Sequence, residues 1–177
     1  MIELSRLSGG CLDAEIVIEH DAWSTLDGLD AVITEAAQLA YNQGAKTPAR
    51  EAAVTVALLS DVAVQALNKQ FRGMDKPTNV LSFPVAPPAS SVGAPAALAA
   101  DGDGVPTLGD IVLAYETVAR EAAQEAIAMT DHIRHLVAHG VLHLLGYDHE
   151  TDGDADIMEA LETRVLAQLG VADPYAR

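Results

Sequence analysis

The sequence predicts an α+β fold, a mixed sheet of about four strands with helices packed on it. Two observations carry this expectation. Short β-type runs come early with helical periodicities between them, and further helical periodicities then cluster toward the end. Half of the residues are apolar but only 4% are aromatic, so the core must be built from Ala, Val, Leu and Ile. At 177 residues the chain is of ordinary single-domain length.

The first strand is expected over residues 14–19, where Ile16 and Ile18 alternate with polar or smaller neighbours. A helix is expected over 24–42, with Leu26, Leu29, Val32, Ile33, Ala36 and Ala40 at helical spacing and Gly44 as the stop. Residues 52–59 are expected to form a buried strand, and Asp61 is the expected N-cap of a short helix reaching about Gln70. Residues 79–85 predict a third strand at a sheet edge, because Pro84 cannot donate a ladder hydrogen bond. Residues 86–106, rich in Ala, Pro, Gly and Ser, predict a flexible insert rather than a second domain. A fourth strand is expected over 108–113. Helices should then cover 115–128, 131–145 and 152–169, the last with Ile157, Leu161, Val165 and Leu169 on one face.

Charge and cysteine content exclude several roles. Ten cations against 26 carboxylates give a formal net charge of −16, which repels polyanions at long range and argues against indiscriminate nucleic-acid binding. Any RNA must be met locally. Lys69, Arg72 and Lys76 supply a local cationic stretch in which Asp75 is the only acid, and Lys69 and Lys76 are candidate phosphate contacts. Asp148, Glu150, Asp152, Asp154, Asp156, Glu159 and Glu162 crowd the C-terminal region and read as a solvated helix start, where carboxylates suit the positive dipole end. The lone Cys11 cannot form an internal disulfide, the first ten residues lack a signal-peptide pattern, and no apolar run could span a bilayer. The expectation is a cytoplasmic protein without a membrane role.

Four of the six histidines lie between His135 and His149. His139 and His143, four residues apart, fall on one helix face one turn apart, a spacing that lets two imidazoles bind one ion. Gly146 permits the turn that ends the helix and returns His149 to the other two. Three nitrogen ligands with an open fourth position describe a catalytic rather than a structural zinc site, so the expected cofactor is one Zn²⁺ per chain. A bound water there would be acidified toward neutral pH, which predicts a hydrolase. The spacing His-x-x-x-His-x-x-Gly-x-x-His is also that of metzincin metalloproteases, but Gly140 stands where those enzymes carry a general-base Glu. His135, one turn before His139, is either a partner of the ligands, a proton shuttle or a packing residue. His132 and His20 have no partner at ligand spacing and read as structural or exposed.

The segments His139-Gly140-Val141-Leu142-His143-Leu144-Leu145-Gly146-Tyr147-Asp148-His149 and Phe71-Arg72-Gly73-Met74-Asp75-Lys76-Pro77-Thr78-Asn79-Val80-Leu81-Ser82-Phe83-Pro84 resemble the YbeY family of bacterial endoribonucleases and rRNA maturation factors. Leu108-Gly109-Asp110-Ile111 and Met158-Glu159-Ala160-Leu161-Glu162 also look like family segments, and the insert at 86–106 is longer than the family leads one to expect. The resemblance implies a zincin-like mixed sheet and a metal held by His139, His143 and His149. It further implies cleavage of single-stranded RNA in 3′-end maturation of 16S rRNA and in ribosome quality control. The partners would be rRNA, the small ribosomal subunit and its proteins. It makes Arg72 the key basic residue near the metal, a role that suits a guanidinium able to take two phosphate oxygens and stabilise developing charge. Asp148 and His135 are the nearest candidates for a general base. Two other readings stay open: a zinc metallopeptidase, opposed by Gly140, and a non-catalytic ribosome-assembly factor in which zinc ties the last helices together.

Overall fold

The computed structural model describes residues 11–45, 50–85 and 104–176. Among these, four strands form one sheet: β1 (Leu12–Ile18), β2 (Ala52–Leu59), β3 (Val80–Pro84) and β4 (Thr107–Ala114), in the order β1-β2-β4-β3. The first three in that order run parallel, and β3 pairs antiparallel with β4. This is the mixed α+β sheet that the sequence predicts. Pro84 lies at the end of the edge strand, as its missing N–H requires. Of the insert expected at 86–106, residues 86–103 fall outside the described residues.

Among the described residues the helices are α1 (Leu29–Gly44), α2 (Asp61–Arg72), α3 (Tyr115–Glu125), α4 (Met129–Leu144) and α5 (Asp152–Gln168), with a 3₁₀ turn at Asp21–Thr25. Strand β2 alternates strictly: Ala52, Val54, Val56 and Leu58 are buried in the main core, which also takes in Ile33, Ile111, Leu113, Val137, Val141 and Val165. Helices α1, α4 and α5 contribute to this layer. A smaller cluster of Leu59, Val64, Leu81, Val112 and Ala114 joins α2 to the opposite face of the sheet.

Three local expectations are corrected. The helix expected from residue 24 begins at Leu29, because Gly28 adopts a left-handed conformation (φ 69°) and separates it from the 3₁₀ turn. Helix α2 is capped by Ser60, whose hydroxyl accepts from Ala63 N at 3.3 Å. The Asp61 carboxylate instead leaves its own helix and accepts from both the backbone N–H and the hydroxyl of Thr117, each at 2.8 Å. In α5 the buried stripe is Met158, Leu161, Glu162, Val165 and Leu166, while Ile157 is exposed. A stripe displaced by one residue puts Glu162 inside, and this displacement matters for the site.

Candidate metal centre

Helix α4 carries His139 and His143 one turn apart, with their Nε2 atoms 3.0 Å from each other. Its end is built by Gly146 at φ 93°, followed by a hydrogen bond from Tyr147 N to the Leu142 carbonyl at 3.1 Å. The reversal is anchored from outside the helix, because the buried Tyr147 hydroxyl donates to the Gly44 carbonyl of α1 at 2.7 Å. His149 then returns to within 5.8 Å of the His139 ring and 5.1 Å of the His143 ring, centroid to centroid. One nitrogen from each of the three lies within 4.8 Å of the others, so the cluster could hold a metal ion.

The second nitrogens of the α4 histidines decide what the cluster wants. His143 Nδ1 is 2.9 Å from the Tyr147 carbonyl, an obligate acceptor, so Nδ1 bears the proton and Nε2 is a bare lone pair. His139 Nδ1 is 2.5 Å from a carboxylate oxygen of Glu162, which fixes the same tautomer. Two lone pairs therefore face one another at 3.0 Å, a repulsive arrangement unless a cation lies between them. A proton is disfavoured in that place, since burial and then the neighbouring His139 and His149 push His143 down to about 4. Two nitrogens bound tetrahedrally to one ion, each about 2.0–2.1 Å away, stand roughly 3.3 Å apart, so the donor set fits a zinc-like ion.

Glu162, expected with the other C-terminal acids to lie on a solvated helix start, is instead turned inward beside His139. It is fully buried. Its carboxylate accepts from His135 Nε2 at 2.9 Å and from the hydroxyl of Tyr175 as well as from His139. Burial alone would raise its carboxyl, but the hydrogen bonds from His135, His139 and the Tyr175 hydroxyl hold it at about 2. His135 thus reaches the ligands through Glu162 rather than directly. A sequence signal existed: an acid within the stripe Met158, Leu161, Val165 is out of place unless a partner satisfies it.

The cluster opens into a cleft of about 570 Å³ lined by Arg72, Thr78, Asn79, Ser82, His139, His143, Asp148 and His149, among others. Arg72 closes α2, and its Nη2 donates to the Ser82 carbonyl at 3.4 Å, so the edge strand holds the guanidinium on the cleft wall. Asp148 spends one oxygen on the His149 backbone N–H at 2.7 Å. Lys69 and Lys76 are not among the lining residues, and Lys69 is paired with Asp75 at 3.0 Å. His132 is buried against Glu121 at 2.7 Å and His20 lies beside Glu116 at 3.7 Å, both away from the ligand cluster.

Gly140 turns out to be a packing position. A Cβ there would sit 2.9 to 3.1 Å from three carbons of Ile111, so glycine lets α4 approach β4 closely. The neighbouring Ser82 hydroxyl donates to the Gly140 carbonyl at 3.5 Å. Any side chain at position 140 would have to displace Ile111 or α4.

A family model described as Endoribonuclease YbeY matches residues 18–170. Among similar curated proteins, one from Allorhizobium ampelinum is 45% identical over 171 residues, covering 93% of this chain and 95% of the relative. One from Bradyrhizobium diazoefficiens is 45% identical over 162 residues, covering 92% and 84%. Both are named Endoribonuclease YbeY. The solution structure of TM1509 from Thermotoga maritima aligns with a TM-score of 0.50 at 24% identity, covering 93% of this chain and 99% of that one, and supports the fold.

Proposed function

The chain belongs to the YbeY family, and from that premise we propose that it works as one catalytic domain, a zinc-dependent endoribonuclease cleaving single-stranded RNA in the cleft beside His139, His143 and His149. Its proposed place is the cytoplasmic maturation of the 16S rRNA 3′ end and ribosome quality control, in contact with the small ribosomal subunit. Among the described residues no helix is long and apolar enough to cross a membrane.

The observation that carries the reading is the pair of opposed Nε2 lone pairs at 3.0 Å, opening onto a cleft whose wall holds a guanidinium. When bound, the ion would supply Lewis acidity, polarising a phosphate oxygen or a water molecule. The remaining steps belong to the chain. Glu162 and the Tyr147 carbonyl keep both α4 ligands in the binding tautomer. Arg72 can present two N–H groups to the non-bridging oxygens and stabilise the charge that grows as the phosphodiester is attacked. Asp148, with one oxygen left over from its backbone contact, is a proton acceptor on the cleft wall. Lys69 and Lys76, outside the cleft lining, would draw phosphate toward its approach rather than hold the reacting group.

A peptidase reading is disfavoured by Gly140, which has neither an acid–base group nor room for one. The test is elemental analysis and an RNA cleavage assay on one preparation. About one zinc per chain with chelator-sensitive cleavage of a single-stranded oligoribonucleotide is expected. Chelator-sensitive digestion of casein with the RNA left intact would replace the nuclease by a peptidase. Metal-dependent folding without either activity would favour an assembly factor.

A further inference from the structure

Asn79, just before β3, lines the same cleft but takes no part in the chemistry above. Its Nδ2 donates to Glu121 Oε2 of α3 at 3.0 Å, and the same carboxylate oxygen is 2.7 Å from Nε2 of the buried His132. A carboxylate only accepts, so the Asn79 amide cannot flip: one of its two N–H groups is held by Glu121, and its Oδ1 is the atom turned away from that carboxylate. Among the described residues Oδ1 has no hydrogen-bond partner, and it is not buried from water. The backbone around it is fixed too, because the Asn79 carbonyl accepts from Ala114 N at 3.1 Å.

We propose that Asn79 is a substrate-specificity residue whose Oδ1 accepts a hydrogen bond from a ribose 2′-hydroxyl of the bound strand, discriminating RNA from DNA; this rests on the nuclease reading above. The choice of ligand group follows from what the amide has left. Asparagine reads a base edge by offering donor and acceptor together. Here Glu121 holds one N–H and fixes the amide, so it cannot turn to follow a base edge; a rigid acceptor in the cleft that also presents Arg72 to the phosphate matches the one donor of the sugar–phosphate backbone, the 2′-hydroxyl that only RNA carries. The buried His132 meets the same carboxylate oxygen, so His132 holds Glu121 and Glu121 holds the amide.

The experiment measures, with zinc-loaded protein, kcat/KM for cleavage of a single-stranded oligoribonucleotide and the inhibition constant of the all-deoxy oligonucleotide of the same sequence with deoxyuridine for uridine. Asn79→Ala should lower kcat/KM on RNA about tenfold, the loss expected for one hydrogen bond. The inhibition constant of the deoxy strand should stay within about twofold of wild type, since no hydroxyl is there to lose. A merely structural role would weaken both. Glu121→Ala, which frees the amide to rotate without removing it, should show a smaller loss on RNA with the same indifference toward DNA. The inference is overturned if both variants keep the wild-type RNA rate, or if RNA and DNA weaken in parallel, or if the preference that changes is for base identity. Wild-type protein that neither cleaves nor binds the oligoribonucleotide would instead refute the nuclease reading itself.

Discussion

Glu162 Oε1 lies 2.5 Å from Nδ1 of His139, so a fully buried carboxylate on α5 sets the orientation and basicity of a proposed metal ligand on α4. Such carboxylate support typically contributes about 10–100-fold in metal affinity. Glu162→Gln keeps the shape but removes the charge that His139 donates to. Zinc affinity measured by competition with a chromophoric chelator should therefore fall by about one to two orders of magnitude. Unchanged affinity would mean that the contact only fills space.

The ligand set makes a stronger demand. Replacing His139, His143 or His149 singly by Ala leaves two protein nitrogens, too few to outcompete water. Zinc retained after dialysis should drop far below one per chain in each variant. His149→Ala is the most informative of the three, because its half-exposed ring contributes little to the core and a loss of metal cannot be blamed on unfolding. Full zinc content in all three variants would remove the centre.

Arg72→Ala should separate binding of metal from use of it. The side chain is exposed and its contact within the fold is a long hydrogen bond to the Ser82 carbonyl, so zinc content and Tm should match wild type. RNA cleavage should fall by about 10²–10³-fold, the range seen when a group stabilising developing charge is lost. Arg72→Lys should recover only part, because an ammonium cannot grip two phosphate oxygens in a planar fork. An Arg72→Ala variant with ordinary cleavage would refute the role.

Gly140 offers a test in stability rather than activity. A Cβ at 2.9 Å from Ile111 Cδ1 forces the helix or the isoleucine to move, and overpacking of this kind costs about 1–3 kcal/mol. Gly140→Glu adds a buried carboxylate to that cost and should shift chemical denaturation to clearly lower midpoints or prevent folding. It should create no casein digestion. The milder Gly140→Ala should be partly rescued by Ile111→Val, which removes one of the crowding methyl groups. Equal stability of wild type and Gly140→Glu would show that α4 and β4 are not tightly packed.

The local grammar of the site was legible in the chain itself. Histidines four apart must share a helix face, and a glycine three residues after the second allows the reversal that returns His149, because both consequences follow from backbone geometry over fewer than a dozen residues. The apolar run of residues 52–59 and the proline at the end of β3 likewise point to one buried strand and one sheet edge, again from neighbouring residues alone. Tertiary structure decided everything that depends on a partner distant in the chain. Glu162 lies 23 residues beyond His139 in an acidic stretch that reads as solvated, and only the packing of α5 on α4 turns it inward. Asn79 acquires a fixed amide only because Glu121, 42 residues away, is brought beside it. Asp61 has the composition of a cap, yet a carboxylate takes whichever donors the fold presents, and here the donors are on Thr117. Gly140 reads in sequence as a missing base and in space as the gap that Ile111 fills. The physical reason is common to all four. Periodicity and turn chemistry are properties of neighbouring residues, whereas the role of a polar or absent side chain is set by what the folded chain places within a few ångströms of it.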